Sequence, residues 1–214
     1  VITADGDIST TGAVNVGAET SRAALNCGTL TCGTLACTGK ITADNFGNDA
    51  NNNIFIGQIN DPSPTGTDNI VIGTAAGDAI STGTANLIIG NQAATKLTTS
   101  VSSIFIGNRS GEEATSDVNG CIFLGVDSGR WYQSGGNGNN IGIGNRSIGG
   151  NVGSVVTDIG DNVAIGKSCC ENLDAGSMRN SAMGSDSGRG ITSGSRNVCL
   201  GYDSGSADIG SNNV

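Results

Sequence analysis

One short phrase recurs along most of this chain and constrains its fold more than any other feature. It reads asparagine, apolar, any residue, apolar, glycine, and nine copies occur between residues 53 and 201. The closing glycines follow one another at intervals of 16 to 22 residues, and they are Gly57, Gly73, Gly90, Gly107, Gly125, Gly144, Gly166, Gly184 and Gly201. Asparagine opens most copies, as Asn53, Asn69, Asn86, Asn140, Asn162, Asn180 and Asn197. A unit of about 17 residues cannot bury its own apolar side chains, so such units stack into a solenoid.

Each phrase has the composition of a short β-strand that ends at a corner. Ile54 and Ile56 flank Phe55, so the two isoleucines share one face of an extended strand and the phenylalanine takes the other. The closing Gly57 allows a positive φ or a close approach of two backbones. We expect the opening asparagines to hydrogen-bond to one another from coil to coil. Together these features predict an all-β fold, a parallel β-roll or β-solenoid of about 17-residue repeats.

The middle position of the phrase is the main sequence argument for an oligomer. It is apolar or small in every copy, from Phe55 to Cys199, where a solenoid exposed to water would carry polar residues. We expect the flanking apolar residues to face the core of their own chain and the middle residues to contact a partner chain. Because small residues replace large ones after residue 140, we also expect partners to approach more closely there. The alternative is a sheet covered by the chain's own loops.

The first 48 residues lack the repeat and have a different composition. Short phrases rich in threonine and glycine dominate them, for example VITADG at 1–6 and CGTL at 27–30. β-Branched residues and turn glycines of this kind are typical of short strands. We therefore predict a β-rich stalk segment at 1–48 and a β-roll repeat domain at 49–214, whose nine repeats continue beyond residue 214.

The composition argues against several classes of function. The chain contains no histidine, which removes serine–histidine–aspartate catalysis and most catalytic zinc sites. Its few glutamates show no evident pairing of the kind that glycan-cleaving enzymes use. The net charge is −9 and the ten Lys and Arg residues are scattered, whereas nucleic-acid binding needs clustered cations. No run of apolar residues is long enough to span a bilayer. We predict no enzymatic activity, no cofactor, no metal site, no nucleic-acid partner and no membrane insertion.

Cysteine usage points to the compartment in which the protein assembles. The seven cysteines are Cys27, Cys32, Cys37, Cys121, Cys169, Cys170 and Cys199. An odd number in a long glycine-rich chain is not typical of a disulfide framework. Buried free cysteines behave as small hydrophobic residues. We expect reduced, buried thiols, which implies assembly in a reducing cytoplasm.

One loop carries residue types that are common at binding surfaces. Arg130, Trp131 and Tyr132 stand together in a glycine- and asparagine-rich insertion, and Trp131 is the only tryptophan of the chain. Exposed aromatic and arginine side chains favour contact with a glycan or a protein. We therefore take these three residues as the candidate receptor contact. The alternative is that both rings fold back and cover the chain or a subunit seam.

The repeat as a whole resembles that of a known group of proteins. The phrase is followed by a small pair, such as Ser128 and Gly129, and a glycine precedes the next asparagine. This pattern, over about residues 51–214, resembles the head repeats of trimeric autotransporter adhesins and similar repeats in fibre proteins of phages and large DNA viruses. The phrases of residues 1–45 resemble the stalks of phage tail fibres. The resemblance implies a left-handed parallel β-roll, three chains around one axis and attachment to a cell surface, and it carries over no binding residue.

Two functions follow from the resemblance, and the cysteines favour one of them. Bacterial adhesins that are exported through an oxidising periplasm tend to avoid cysteine. We therefore expect a structural fibre of a virus or phage, a shaft or head segment that supports attachment to the host cell surface. Its expected partners are further copies of itself in a homotrimer, other virion proteins, and a host surface glycan or protein. Its expected location is the virion surface, after assembly in host cytoplasm. The alternative is a trimeric adhesin head on a bacterial surface that binds host matrix or cells.

Overall fold

The computed structural model describes residues 49–57, 65–133, 138–149 and 157–214. The predicted stalk segment at 1–48 lies outside the described residues. The described residues form an all-β parallel β-solenoid without a helix, as the repeat predicts, and thus contain no helix that could cross a membrane. Its strands are β1 (Ile54–Ile56), β2 (Ile70–Ile72), β3 (Leu87–Ile89), β4 (Ile104–Ile106), β5 (Ile122–Leu124), β6 (Ile141–Ile143), β7 (Val163–Ile165), β8 (Ser181–Met183) and β9 (Val198–Leu200).

These strands form one parallel sheet in which each strand pairs with the next one along the chain. The register is constant, so that Ile54 lies opposite Ile70 and Ile70 lies opposite Leu87. Hydrogen bonding continues past the strand ends, where the Gly73 amide donates to the Ile56 carbonyl at 2.8 Å. Each turn of the chain therefore lies directly on the preceding one, and equivalent residues form columns along the sheet.

The closing glycines occupy a backbone conformation that other residues avoid, as expected from the sequence. Their φ angles lie between +109° and +139°. Consecutive glycines also touch through their backbones: a Cβ built on Gly144 would lie closer than 3.0 Å to the carbonyl oxygen and carbon of Gly166. Two independent requirements, the dihedral angle and the available space, therefore select glycine at this corner.

The middle residue of each strand points into the solenoid. Phe105 and Phe123 are fully buried within their own chain, whereas Ile104 and Ile106 lie on the outer face and are only partly buried. The prediction that the middle residues meet a partner chain, and that the flanking ones form the core, is therefore wrong. The physical reason is the alternation of side chains along a strand: the buried opening asparagine stands two residues before the middle position, so both face inward.

The small middle residue Gly142 is compensated within its own turn of the solenoid. Phe123 packs on Gly129, where an added Cβ would lie closer than 3.0 Å to the phenyl ring. In the next turn Gly142 takes the place of the phenylalanine, and the buried Ile148 takes the place of the glycine. The core keeps a nearly constant volume through this exchange. The small residues after position 140 thus fill the chain's own interior. Contrary to our expectation, they do not indicate a closer approach of partner chains.

The predicted asparagine ladder runs along the inside of one corner. The Nδ2 of Asn162 donates to Asn140 Oδ1 at 3.0 Å and to the Ser177 carbonyl at 2.9 Å. Its Oδ1 accepts from both the amide and the Nδ2 of Asn180, each at 3.0 Å. The amide group is buried, so these bonds replace those that water would otherwise supply.

The ladder has a polar start and one interruption. Asp49 lies before the first asparagine, and its carboxylate accepts from the amide of Asn53 at 2.8 Å and from its Nδ2 at 3.0 Å. The side-chain bond from Asn53 is the main cause that lowers the pKa of Asp49. Two turns carry Ser103 and Cys121 instead of asparagine, and there the Ser103 hydroxyl accepts from the Cys121 amide at 3.2 Å.

Candidate functional site

The outer face of the sheet is an apolar surface, which we call the apolar strip. Each strand contributes its first and third residue, and within the described strands Ser181 is the one polar member. Several members are well exposed, among them Ile56 (46%), Met183 (52%) and Leu200 (67%). The members are Ile54, Ile56, Ile70, Ile72, Leu87, Ile89, Ile104, Ile106, Ile122, Leu124, Ile141, Ile143, Val163, Ile165, Ser181, Met183, Val198 and Leu200.

The size of the apolar strip follows from sheet geometry. Adjacent strands lie about 4.8 Å apart and three residues extend about 10 Å, so the strip measures roughly 38 Å by 10 Å. No charged residue interrupts it. The largest apolar patch on a typical soluble monomer covers about 300–600 Å² and is often functional, and the outline of the strip, about 400 Å², falls within that range. Parallel sheets, moreover, are covered on both faces in nearly all proteins that contain them.

Arg130 and Trp131 stand together on a different part of the surface, in the turn that follows β5. The guanidinium carbon of Arg130 lies 4.5 Å from the centre of the Trp131 ring. The Nε of Arg130 contacts Glu112 Oε2 at 2.6 Å, and its Nη1 lies 3.5 Å from Asp127 Oδ1. Both Arg130 and Trp131 are half-buried. The structure thus brings two of the three predicted contact residues together at the surface.

Tyr132 does not belong to this surface. It is fully buried, its ring meets Phe123 edge-on at 5.8 Å between centroids, and its hydroxyl donates to the Ile159 carbonyl at 3.4 Å. Burial raises the pKa of this hydroxyl above its usual value. The prediction that Tyr132 contacts a receptor is therefore wrong.

A signal in the sequence identifies Tyr132 as a core residue. It is the seventh residue after a closing glycine. That position is apolar in the other turns where it is described, except the last turn, which carries Asp208 there. The equivalent buried residues are Ile80, Leu97, Ala114, Leu173 and Ile191. Tyr132 therefore continues a column of core side chains.

The described cysteines are free and buried, as the sequence predicts. Cys121, Cys169, Cys170 and Cys199 all line the interior, whereas Cys27, Cys32 and Cys37 lie outside the described residues. Burial raises the pKa of the Cys121 thiol to about 11. Within the described ranges no three His, Cys, Asp or Glu side chains are grouped so that they could hold a metal ion.

Replacing Cys121 by alanine is expected to reduce the loss of stability between pH 9 and pH 11. The unfolded chain releases the thiol proton near pH 9.0, but the folded protein holds it to about pH 11. Above pH 9 the unfolded state therefore binds fewer protons, and stability falls as the pH rises. The Cys121 thiol thereby lowers the free energy of unfolding by about 2–3 kcal/mol between pH 9 and pH 11. Urea unfolding at pH 8 and pH 11 measures it, and equal losses in the parent and the variant would contradict this assignment.

Comparison with known proteins finds no matching family model, no matching curated protein and no matching solved structure. The functional argument therefore rests on the geometry of this chain. Two surfaces stand out in that geometry: the apolar strip, and the polar surface around Arg130 and Trp131.

Proposed function

We propose that the repeat domain is a structural segment of a viral or phage fibre, in which three copies of the chain pack through their apolar strips. The observation that supports this proposal is the strip itself. A solenoid that works as a single chain would place polar side chains on the outer face of its sheet. Here nearly every outward residue of the described strands is Ile, Leu, Val or Met. The number of three chains is the number that the resemblance implies.

The strip also suits an assembly that grows in one direction. Its side chains repeat in register from strand to strand. If two copies of the chain contact each other at one strand, the same contact is therefore repeated at every other strand. Removing apolar surface from water contributes roughly 25 cal/mol per Å², and this gain recurs with each added turn. Each turn lengthens the segment by about 4.8 Å. Length and subunit affinity therefore increase together, which suits a fibre.

The proposal assigns the segment a mechanical role and no catalytic step. Surface carboxylates near the Arg130 region are engaged by cations: Glu112 by Arg130, Glu113 by Lys96, and Glu171 by Arg146. Such pairing is typical of a structural surface, since a catalytic pair of carboxylates needs a free group that can exchange protons. We place the fibre on the virion surface, joined to other virion proteins and directed at the host cell surface.

The free buried thiols support assembly in the host cytoplasm. Disulfides form and persist in oxidising compartments, whereas thiols remain reduced in the cytosol. A bacterial adhesin head would have to carry Cys121, Cys169, Cys170 and Cys199 through an oxidising periplasm. This observation favours the virus or phage fibre over the adhesin.

Replacing Ile122 by aspartate is expected to convert the assembly into single chains. Ile122 lies in the central strand of the strip, and association would bury the new carboxylates next to one another without partners. Sedimentation velocity with reductant present measures the effect. The parent protein should sediment as an elongated species of three times the 21.1 kDa chain mass, and the variant as one chain mass. Far-UV circular dichroism verifies that the variant retains its sheet.

Val126→Asp is the matched control for this experiment. Val126 is 42% exposed and lies only two residues beyond β5, but it stands in the turn and not on the strip. The control should retain the mass of the parent protein. A parent protein that sediments as a single chain would overturn the proposed assembly, and a mass of two chains would overturn the number of copies.

A further inference from the structure

The apolar strip has two edges, and charged side chains stand along both of them. We call the residue before each opening asparagine, or its equivalent, the opening edge, and the two residues after each closing glycine the closing edge. Both edges follow the stacking of the turns. The Arg196 amide donates to the Met178 carbonyl at 3.0 Å, and the Asp186 amide donates to the Lys167 carbonyl at 2.8 Å. Each edge therefore forms a column that runs alongside the strip.

The charges on the two edges have opposite signs beside β7, β8 and β9. In that order, the opening edge carries Asp161, Arg179 and Arg196, and the closing edge carries Lys167, Asp186 and Asp203. An acidic residue thus stands across the strip from a basic one in each of these turns. From β2 to β6 the two edges never carry the same sign in one turn. The strip is therefore flanked by two columns of complementary charge.

Several of these charges lack a strong partner within the described part of their own chain. Lys167, Arg196 and Asp203 are exposed and form no ion pair there. Asp161 and Arg179 contact each other, but the nearest nitrogen and oxygen lie 3.8 Å apart, and the two side chains are 41% and 57% exposed. An exposed pair of this kind contributes little to stability, so it leaves both charges available to another chain.

We propose that neighbouring copies of the chain lie parallel and in register, held so by ion pairs between the opening edge of one strip and the closing edge of the next. In a ring of identical copies whose strips face a common axis, every interface joins these two different edges at the same strand. The three pairs at each interface are then Asp161 with Lys167, Arg179 with Asp186, and Arg196 with Asp203 of the neighbouring copy. Asp186 also contacts Arg189 of its own chain, at 3.5 Å.

The apolar strip alone does not fix the register. Its side chains are nearly the same in every strand, so copies that slide by one strand lose little apolar contact. The charged edges oppose such a slide in both directions. A slide in one direction places Lys167 opposite Arg179, and a slide in the other places Asp161 opposite Asp186, so that like charges meet. Electrostatic complementarity of this kind contributes to specificity more than to affinity.

Antiparallel copies would not use these charges. Like edges would then meet, and β7 would lie opposite β3 when the two strips overlap fully. Asp161 would face Ala85, and Lys167 would face Asn91, neither of which carries a charge. The two edges therefore favour parallel copies. This inference rests on the proposed function, because it assigns the register within the assembly that the strip forms.

Reversing one charge on either edge is expected to weaken the assembly. In Arg196→Asp two carboxylates would face each other across the interface, and in Asp203→Arg two guanidinium groups would do so. Sedimentation velocity of the intact chain over a dilution series, with reductant present, measures the concentration at which half of the chains are assembled. We expect this concentration to rise at least about tenfold in each variant, since opposed like charges suppress association.

Both substitutions suit the backbone, because the new residue already occurs in the same column. Asp161 occupies the column of Arg196, with φ angles of +58° and +59°. Arg109 and Arg146 occupy the column of Asp203, and all three have a φ of +54°. The double variant Arg196→Asp/Asp203→Arg keeps the ion pair with its signs exchanged. It should assemble like the parent protein, which a merely structural role of either residue would not produce.

Lys96→Glu is the matched control for Arg196→Asp. It changes the net charge by the same amount, but Lys96 lies six residues beyond Gly90, and Glu113 occupies the same column. The control should assemble like the parent protein. Single variants that assemble like the parent, or a double variant that assembles no better than the single ones, would overturn the role of the charged edges and leave the proposed assembly intact. A parent protein that sediments as a single chain would overturn both.

Discussion

Gly144→Ala is expected to disrupt the sheet between β6 and β7 and to give the largest loss of stability of any single substitution considered for this chain. Gly144 has a φ of +132°, a region that residues with a side chain hardly populate. The added Cβ would also collide with the backbone of Gly166, which no side-chain movement relieves. We expect a loss of about 4 kcal/mol or more in the free energy of unfolding. Thermal unfolding followed by circular dichroism measures it.

Gly210→Ala is the control. It tests whether the loss of stability is specific to a closing glycine or follows from replacing any glycine by alanine. An added Cβ at Gly210 meets nothing within 4 Å, and its φ is not in the left-handed region. This variant should unfold within about 0.5 kcal/mol of the parent protein. If both variants were equally stable, the account of the closing glycines as obligatory corners would be refuted.

Asn162→Ala is expected to lower the free energy of unfolding by about 4 kcal/mol. The substitution removes the acceptor of the Asn180 amide and the donor to the Ser177 carbonyl, and it deprives Asn180 Nδ2 of one acceptor. The ladder is fully buried, and each buried polar group that is left without a partner costs about 1–3 kcal/mol. Urea unfolding of the parent protein and the variant measures the difference.

Asn145→Ala is the matched control for the ladder. Asn145 is an exposed asparagine one residue after a closing glycine, and the bond from the Ser168 amide to its carbonyl involves only its backbone. We expect a change below about 0.5 kcal/mol. A small effect of Asn162→Ala, comparable to that of Asn145→Ala, would mean that the ladder contributes little to the stability of the solenoid.

The repeat made the fold predictable, because equivalent residues of successive copies stack on one another in a solenoid. Copies of one phrase at intervals of 16 to 22 residues place Ile70 on Ile54 and Asn69 on Asn53. The predicted strands, corners and ladder are confirmed for this reason. The insertions that change the interval leave the register intact, since they fall outside the phrase.

Which face of the sheet is the interior was not predictable from apolar character alone. Both Phe105 and its neighbours Ile104 and Ile106 are apolar, so alternation in hydrophobicity gives no answer. The asparagine column provides the answer, since a ladder of amides is stable only where each member is protected and paired. The residue two positions after each asparagine must then face inward as well.

The candidate contact surface was predicted in part. Composition drew attention to Arg130 and Trp131, but it does not distinguish an exposed ring from a buried one, and Tyr132 proved to be a core residue.

The constant register of the sheet has a consequence for the response of the segment to force. Hydrogen bonds between successive strands point along the solenoid axis, so tension applied to the two ends loads them one row after another and not all at once. The end strand would therefore peel away first, and each event would release a single turn. A turn of 17 residues extends to about 60 Å, compared with about 5 Å when stacked. The repeat domain would thus yield in discrete steps, each of which dissipates part of the applied force.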